Sequence, residues 1–377
     1  MYPKRIVCSW HVLLLVASVA FAQQVPPDDP IVKKALAIHE RAITLDTHID
    51  ILTTYATPAL DPGTMTTLRC DLPKMEKGGL DGAFLVVFVG QGPLGEPGYR
   101  QAYDQAMVKF DALKRLTEQM YPNRTGLART PADVERIAKS GKRIIMIGVE
   151  NGYPMGTDLA NLGRFYDLGA RYMTLTHRDH NQLADSSSAP GPIHGGLSSL
   201  GRRVVAEMNR LGMMIDVSHI SRQSFRDVIA TTKAPIIASH SACASLTDSE
   251  RNLTDEQLSA LARNGGVIQI AAVPNYIKAQ GTAHRAAQPP TLKDFVDHVD
   301  HAVKVAGIDH VGIGSDFDGG GGVPGFNNVA EAPNVTIELV RRGYTEAQIR
   351  KVWGENLLRV WRDVAKAAAA PAASGRS

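Results

Sequence analysis

The chain alternates short apolar runs with amphipathic stretches. Eight runs read as strands: residues 43–46, 82–89, 143–149, 172–176, 213–217, 235–239, 267–272 and 310–315. Each is rich in Val, Ile, Leu or Met and is bounded by Gly, Pro, Asp or Asn. Continuous apolar runs suit strands buried on both faces, as in parallel sheets. Between them apolar residues recur at helical spacing, as Leu197, Leu200, Val204, Met208 and Leu211 do. Thr254 with Gln257, and Thr345 with Gln348, form capping-box patterns that open helices. Gly265 stops the first, and the second runs through Trp353 and Trp361. Strand–helix alternation repeated eight times predicts an α/β fold, a (β/α)8 TIM-type barrel in a single domain. The alternative is a doubly wound open sheet.

The informative polar residues stand at the strand ends. The first strand runs into His48 and Asp50, and the third ends at Glu150. The fourth, fifth and sixth end at His177, His219 and His240, and the eighth at Asp316. In a parallel barrel these ends share one face, the face that carries active sites. Packed together without partners, the carboxylates would repel and lose solvation, and metal cations offset both penalties. His48 and Asp50, two apart in an extended segment, point to one side and can ligate one ion. Glu150 has two oxygens and can bridge two ions, while His219 and His240 can hold the second. Mixed nitrogen and oxygen ligands suit zinc, and less specifically manganese or cobalt. A lone histidine is more often a hydrogen-bonded core or loop residue; the repetition at successive strand ends weighs against that reading.

Composition narrows the class. With 377 residues, 44% hydrophobic and 21% charged, the chain can bury a large core. A formal charge of +3 without a block of like charge gives no support to a nucleic-acid partner. Three cysteines exclude a disulfide scaffold. Lys4 and Arg5, the mostly apolar residues 12–20 and the Ala20-Phe21-Ala22 site read as a signal peptide over residues 1–22. The expectation is an exported protein, periplasmic or secreted, with a catalytic domain over 23–366 and a frayed tail over 367–377. Cys8 leaves with the signal, so at most one internal disulfide, Cys70 to Cys243, can form. No apolar segment at the C-terminus reads as a lipid-anchor signal. Among the other histidines, His180 is expected near the site or in solvent, and His194, His284, His298, His301 and His310 at the surface. Residues 319–322 read as a flexible rim loop, Asp318 as a support for Asp316 or a turn cap, and Tyr276 as a pocket residue.

Several blocks then become recognisable in order. They are Asp46-Thr-His-Ile-Asp50, Gly148-Val-Glu150, Tyr172-Met-Thr-Leu-Thr-His177, Gly212-Met-Met-Ile-Asp-Val-Ser-His219, Ser239-His-Ser241, Arg251-Asn252 and Gly314-Ser-Asp-Phe-Asp-Gly319. Together they resemble the membrane (renal-type) dipeptidase family, from about Thr44 to about Trp361. The blocks at 212–219 and 314–319 are the specific ones. The resemblance implies a binuclear zinc (β/α)8 hydrolase that cleaves dipeptides, often with a D-residue at the C-terminal position, some members opening β-lactams. It implies that His48, Asp50 and Glu150 ligate one Zn2+, and Glu150, His219 and His240 the other. His177 and Arg251 become substrate contacts, and Asp316 the acidic catalytic partner.

On that reading a hydroxide between the metals attacks the peptide carbonyl. His177 donates to the developing oxyanion and Asp316 passes the proton to the leaving amine. Arg251 offers a fork for the free C-terminal carboxylate of a dipeptide. The chain departs from animal members at Ile49, where they usually have Asn, and lacks their cysteines and C-terminal anchor signal. It looks more like a bacterial exported member with no membrane anchor; association as a homodimer is left open. One rival is another binuclear amidohydrolase acting on cyclic amides or esters. Such barrels usually begin with two histidines around one residue and bridge their metals with a modified lysine, unlike His48-Ile-Asp50 and Glu150. The other rival is a non-catalytic exported binding protein on the same barrel, against which the complete ligand set speaks.

Overall fold

The computed structural model describes residues 29–278 and 289–369. The expected signal peptide, His284 and the end of the expected tail lie outside the described residues. Among the described residues nine strands form one parallel sheet: β1 (Leu45–Asp50), β2 (Gly82–Phe88), β3 (Thr125–Leu127), β4 (Arg143–Glu150), β5 (Ala170–Thr174), β6 (Met214–Asp216), β7 (Ile236–Ser241), β8 (Val267–Ile270) and β9 (Val311–Ile313). Eight of them follow one another around a barrel in the order β1-β2-β4-β5-β6-β7-β8-β9, with helices between. The ring closes beyond β9, where Asp50 N donates to Phe317 O at 2.9 Å and Asp316 N to His48 O at 3.0 Å. All eight expected strands are present.

No apolar run marks β3. It pairs with residues 143–145 and so covers the edge of β4 ahead of β5. β1 starts later than the apolar run suggests and continues through His48 and Asp50, because backbone bonds across the closure extend it. Both capping boxes form, at Thr254 and Thr345. The helix opened by Thr345 passes through a π-turn at Lys351–Glu355 into Asn356–Ala369. It therefore continues into the stretch expected to be frayed.

Strand alternation divides the core in two. Leu45, Phe84, Val86, Met146, Tyr172 and Met214 form an inner cluster with Trp361 and Leu357 of the last helix. Leu85, Val87, Ile145, Ile147, Ile215 and Ile313 face the other way, against the surrounding helices. Phe84 lies between Tyr172 and Trp361, with ring centroids at 5.0 and 5.9 Å. Cys70 and Cys243 are buried and free, so no disulfide links them. His298 is buried rather than exposed. It shares a helix face with Phe295, Val299 and Ala302, and its ring bonds Cys243 N at 3.0 Å and Ile277 O at 2.9 Å. No described helix is long and apolar enough to cross a membrane.

Because Trp361 supports the inner cluster through Phe84, Trp361→Ala is expected to destabilise the fold by about 3–5 kcal/mol. Urea unfolding of the metal-free protein measures this. A loss under about 1 kcal/mol, within the range of ordinary surface changes, would show that the cluster stands without it.

Candidate metal centre

The inward direction of each ligand is set by local backbone geometry. Along β4 simple alternation places Ile144 and Met146 inside and brings Glu150 to the same face at the strand end. On β1 alternation alone would fail, since Leu45 is inside but Ile49 is outside. The pairing of β1 with β2 shifts register between Asp46 and Ile49, and this bulge turns His48 and Asp50 inward. β7 repeats the device. Ile237 is inside, the pairing with β8 shifts between Ala238 and Ser241, and His240 joins the centre.

Two buried carboxylates fix these irregular segments. Asp46 accepts from His48 N and Ser315 N, both at 3.0 Å, tying β1 to the residues after β9. Asp216 accepts from Ser218 N at 3.0 Å, Ser239 N at 2.8 Å, Ser239 Oγ at 2.6 Å and the Thr174 hydroxyl. The Ser239 hydroxyl also meets His240 Nδ1 at 2.8 Å. Its one proton goes to Asp216, so its oxygen accepts Nδ1–H and the Nε2 lone pair of His240 faces the centre. Tyr172 acts likewise. Its hydroxyl donates to Thr47 O at 3.0 Å and meets His48 Nδ1 at 3.0 Å, which leaves His48 Nε2 bare. That atom is buried and has no hydrogen-bond partner among the described residues.

Around Glu150 the distances are short. Its Oε1 lies 3.0 Å from His219 Nε2, 3.3 Å from His240 Nε2 and 3.8 Å from His177 Nε2. Its Oε2 lies 3.6 Å from His48 Nε2, which is 3.8 Å from Asp50 Oδ2. The Nε2 atoms of His219 and His240 are 2.8 Å apart. Three groups could each hold an ion: His48 with Glu150 and His240, Glu150 with His177 and His219, and His48 with Asp50 and Asp316. Every expected ligand is therefore brought together. The expected set of Glu150, His219 and His240 lies within 3.3 Å of one another, and the groups overlap further: His240 also falls with His48, and His177 lies within reach of Glu150.

Strain is concentrated at the same place. Asn151, His219, Asp316 and Asp318 all have positive φ, between 61° and 75°. Such non-glycine residues cost on the order of 1–3 kcal/mol each and persist only where their surroundings hold them. Asp318 holds its loop by accepting from Arg69 N at 2.8 Å and Cys70 N at 3.2 Å. Gly319, Gly320 and Gly321 direct their N–H groups to Asp316 O at 3.2, 3.0 and 2.6 Å. A Cβ on Gly319 would lie 2.1 Å from Asp50 Oδ2 and 2.4 Å from Asp316 Oδ1, so only glycine fits there. The expected flexible rim loop is instead a bonded turn pressed against two carboxylates.

The charges reinforce one another. Burial, then Glu150, push the Asp50 carboxyl up to about 8. Burial, opposed by His48 and aided by Glu150, lifts Asp316 to about 7. For His48 burial works the other way, but Glu150 and Asp50 raise it to about 9. Burial holds His219 and His240 well below the ordinary histidine range. The bare Nε2 atoms and crowded carboxylates fit divalent cations, which would displace the retained protons.

A cavity of about 500 Å³ opens over the centre, lined by Asp50, Phe88, Lys109, His177, Tyr276 and Asp316 among others. His177 packs between Phe88 and His219, with ring centroids at 4.6 and 4.4 Å. Arg251 is buried, with its guanidinium 5.1 Å from the Tyr276 ring and Nη2 donating to His240 O at 3.2 Å. Among the described residues its Nε has no hydrogen-bond partner. Asn252 Nδ2 donates to Thr247 O at 2.9 Å and Tyr276 O at 2.8 Å, which fixes this wall.

Sequence reasoning passed over Asp216, Tyr172 and Ser239 as supports, although an aspartate and a tyrosine inside apolar strands were visible signals. Lys109 gave none, because its helix reads as an ordinary amphipathic one.

Residues 32–375 match the sequence profile of the membrane dipeptidases, peptidase family M19. The chain belongs to this family. The dipeptidase verJ of Clonostachys rogersoniana is 37% identical over 309 residues, 80% of this chain and 77% of that protein. The probable dipeptidase PvdM from Pseudomonas aeruginosa superposes with a TM-score of 0.84 at 33% identity, over 90% of this chain and 99% of that one. The metallo peptidase from Rhodobacter sphaeroides, liganded with a phosphinate mimic of the dipeptide L-Ala-D-Ala, gives 0.76 at 29% identity, over 86% and 99%. As a member of this M19 metallopeptidase family the protein depends on metal, and the cluster around Glu150 can hold it.

Metal affinity is expected to rise with pH. Asp316, Asp50 and His48 keep protons below about 7, 8 and 9 in the metal-free protein, and binding must expel them. Calorimetric zinc titrations in buffers of different ionisation heat should show proton release at neutral pH, with affinity weakening as pH falls below 7. Binding without proton release would contradict the assignment. Asp216→Asn turns an amide toward four donors and should cost about 1–3 kcal/mol for each one stranded. Metal affinity should also fall about ten- to a hundredfold. Chelator competition giving native affinity would remove Asp216 from the support of the centre.

Proposed function

We propose that the protein is an exported zinc dipeptidase that holds two Zn2+ ions, with Glu150 shared between them. Membership of the family makes it a metal-dependent dipeptidase. The observation behind the two-ion reading is the division of Glu150: one oxygen faces His219 and His240, the other faces His48. Bound zinc would supply a Lewis acid for the scissile carbonyl and a hydroxide nucleophile near neutral pH.

The chain's own residues do the rest. Burial lowers the basicity of His177, so its ring is neutral and an N–H is available for the carbonyl oxygen as negative charge develops. Asp316, beside Asp50 and His48, takes the proton of the nucleophile and delivers it to the leaving amine. Arg251 carries an unpartnered Nε–H in a buried fork behind Tyr276, matched to a carboxylate. The dipeptide mimic held by the Rhodobacter relative supports a dipeptide substrate, and its D-alanine half supports a D-residue at the C-terminal position. The basic and apolar pattern of residues 4–22 supports action outside the cytoplasm.

The test is substrate length. A dipeptide places its carboxylate one residue beyond the scissile bond; a tripeptide or an amidated dipeptide places a neutral amide there. The metal-replete enzyme should prefer free dipeptides by about ten- to a hundredfold. Arg251→Ala should lower kcat/KM for free dipeptides and barely move it for amidated ones. Equal cleavage of both by the native enzyme would take this role from Arg251. A fully active enzyme with one metal by elemental analysis would exclude the shared-glutamate reading.

A further inference from the structure

We propose that Lys109 is a specificity-determining residue that selects dipeptides with an acidic side chain on their N-terminal residue. This rests on the dipeptidase reading of the same cavity.

Lys109 belongs to the helix Glu96–Arg115, where a lysine would ordinarily reach solvent. Here it is 7% exposed. Its side chain lines the cavity over the metal centre, with Nζ 5.6 Å from the centre of the Phe88 ring. Among the described residues it makes no hydrogen bond or ion pair. A buried ammonium without a counter-ion is costly. Burial lowers the basicity of Lys109, and the charges of Asp50 and Glu150, both assigned to the metals, oppose that. With divalent ions bound there, those two carboxylates are committed to the metals and no longer offset the ammonium. A carboxylate entering with the substrate would supply the missing partner.

The barrel order says where it enters. Phe88 ends β2, and Arg251 is anchored on His240 of β7. Those strands stand second and sixth in the ring of eight, so the two cations approach the centre from opposite sides of the barrel mouth. A dipeptide whose carboxylate reaches Arg251 and whose scissile carbonyl lies over Glu150 directs its N-terminal residue toward Phe88 and Lys109. Phe88 can cover the methylene stem, and the ammonium can take a terminal carboxylate in a charge-assisted bond. The same carboxylate shields Lys109 from the substrate's own α-ammonium. A neutral side chain would leave Lys109 stranded.

The experiment compares glutamyl-alanine with glutaminyl-alanine, and aspartyl-alanine with asparaginyl-alanine, as isosteric pairs on the zinc-replete full-length enzyme. The readout is the acid-to-amide ratio of kcat/KM within each protein, which cancels any loss of folded enzyme. The native ratio should be about ten- to a hundredfold in favour of the acid. Lys109→Met should bring it close to one, and Lys109→Glu should invert it. A native ratio near one, or a ratio preserved in Lys109→Met, would overturn the proposal while leaving dipeptide hydrolysis intact. Failure to cleave any of the four would overturn the dipeptidase reading and this proposal with it.

Discussion

Glu150 is a carboxylate almost wholly withdrawn from bulk water, and the mouth of the barrel is organised around that fact. A buried anion is tolerable only with compensating charge and directed hydrogen bonds. Here four imidazoles face it, and Asp50 and Asp316 crowd the same space. The added carboxylates make the centre worse as a purely protein assembly and better as a cation site. Neither apolar packing nor a simple ion pair explains three acids and four histidines within a few ångströms. A requirement for positive charge from outside the chain does.

That requirement shapes the backbone. Regular strands would aim every second side chain inward and would put His48 and His240 in the wrong phase. Bulges on β1 and β7 correct the phase, and the left-handed residues at His219 and Asp316 bring in ligands that no strand could present. Each irregularity is held by a carboxylate that accepts backbone N–H groups, Asp46 on one side and Asp216 on the other. The protonation logic extends one layer further out. Tyr172 and Ser239 each spend their single proton elsewhere and so fix which ring nitrogen of His48 and His240 is bare.

Much of this was legible from the sequence. The eight barrel strands announce themselves because parallel strands are apolar on both faces, and the ligands stand out because they follow apolar runs. β3 is silent because three residues cannot build a period. The bulges are silent because a register shift leaves no compositional trace; His48 and Asp50 could be paired by spacing, but their phase relative to Leu45 could not. His298 misled because a histidine on a helix reads as polar until the helix face is known. Lys109 gave no signal for the same reason, since burial of a cation depends on the neighbouring strand and cavity, not on its own helix.

The contact from Trp361 through Phe84 and Tyr172 to His48 joins one of the last residues of the fold to one of its first ligands. The donors themselves are spread from His48 to Asp316 along the chain. A nascent chain therefore exposes half of a metal centre long before the remainder is made. Until the closing strand is added, His48 lacks Asp316, and until the final helix is added, the Phe84–Tyr172 pair behind its tautomer lacks Trp361. Metal capture in this protein belongs to the end of folding, and an incomplete chain has nothing with which to hold the ion in place.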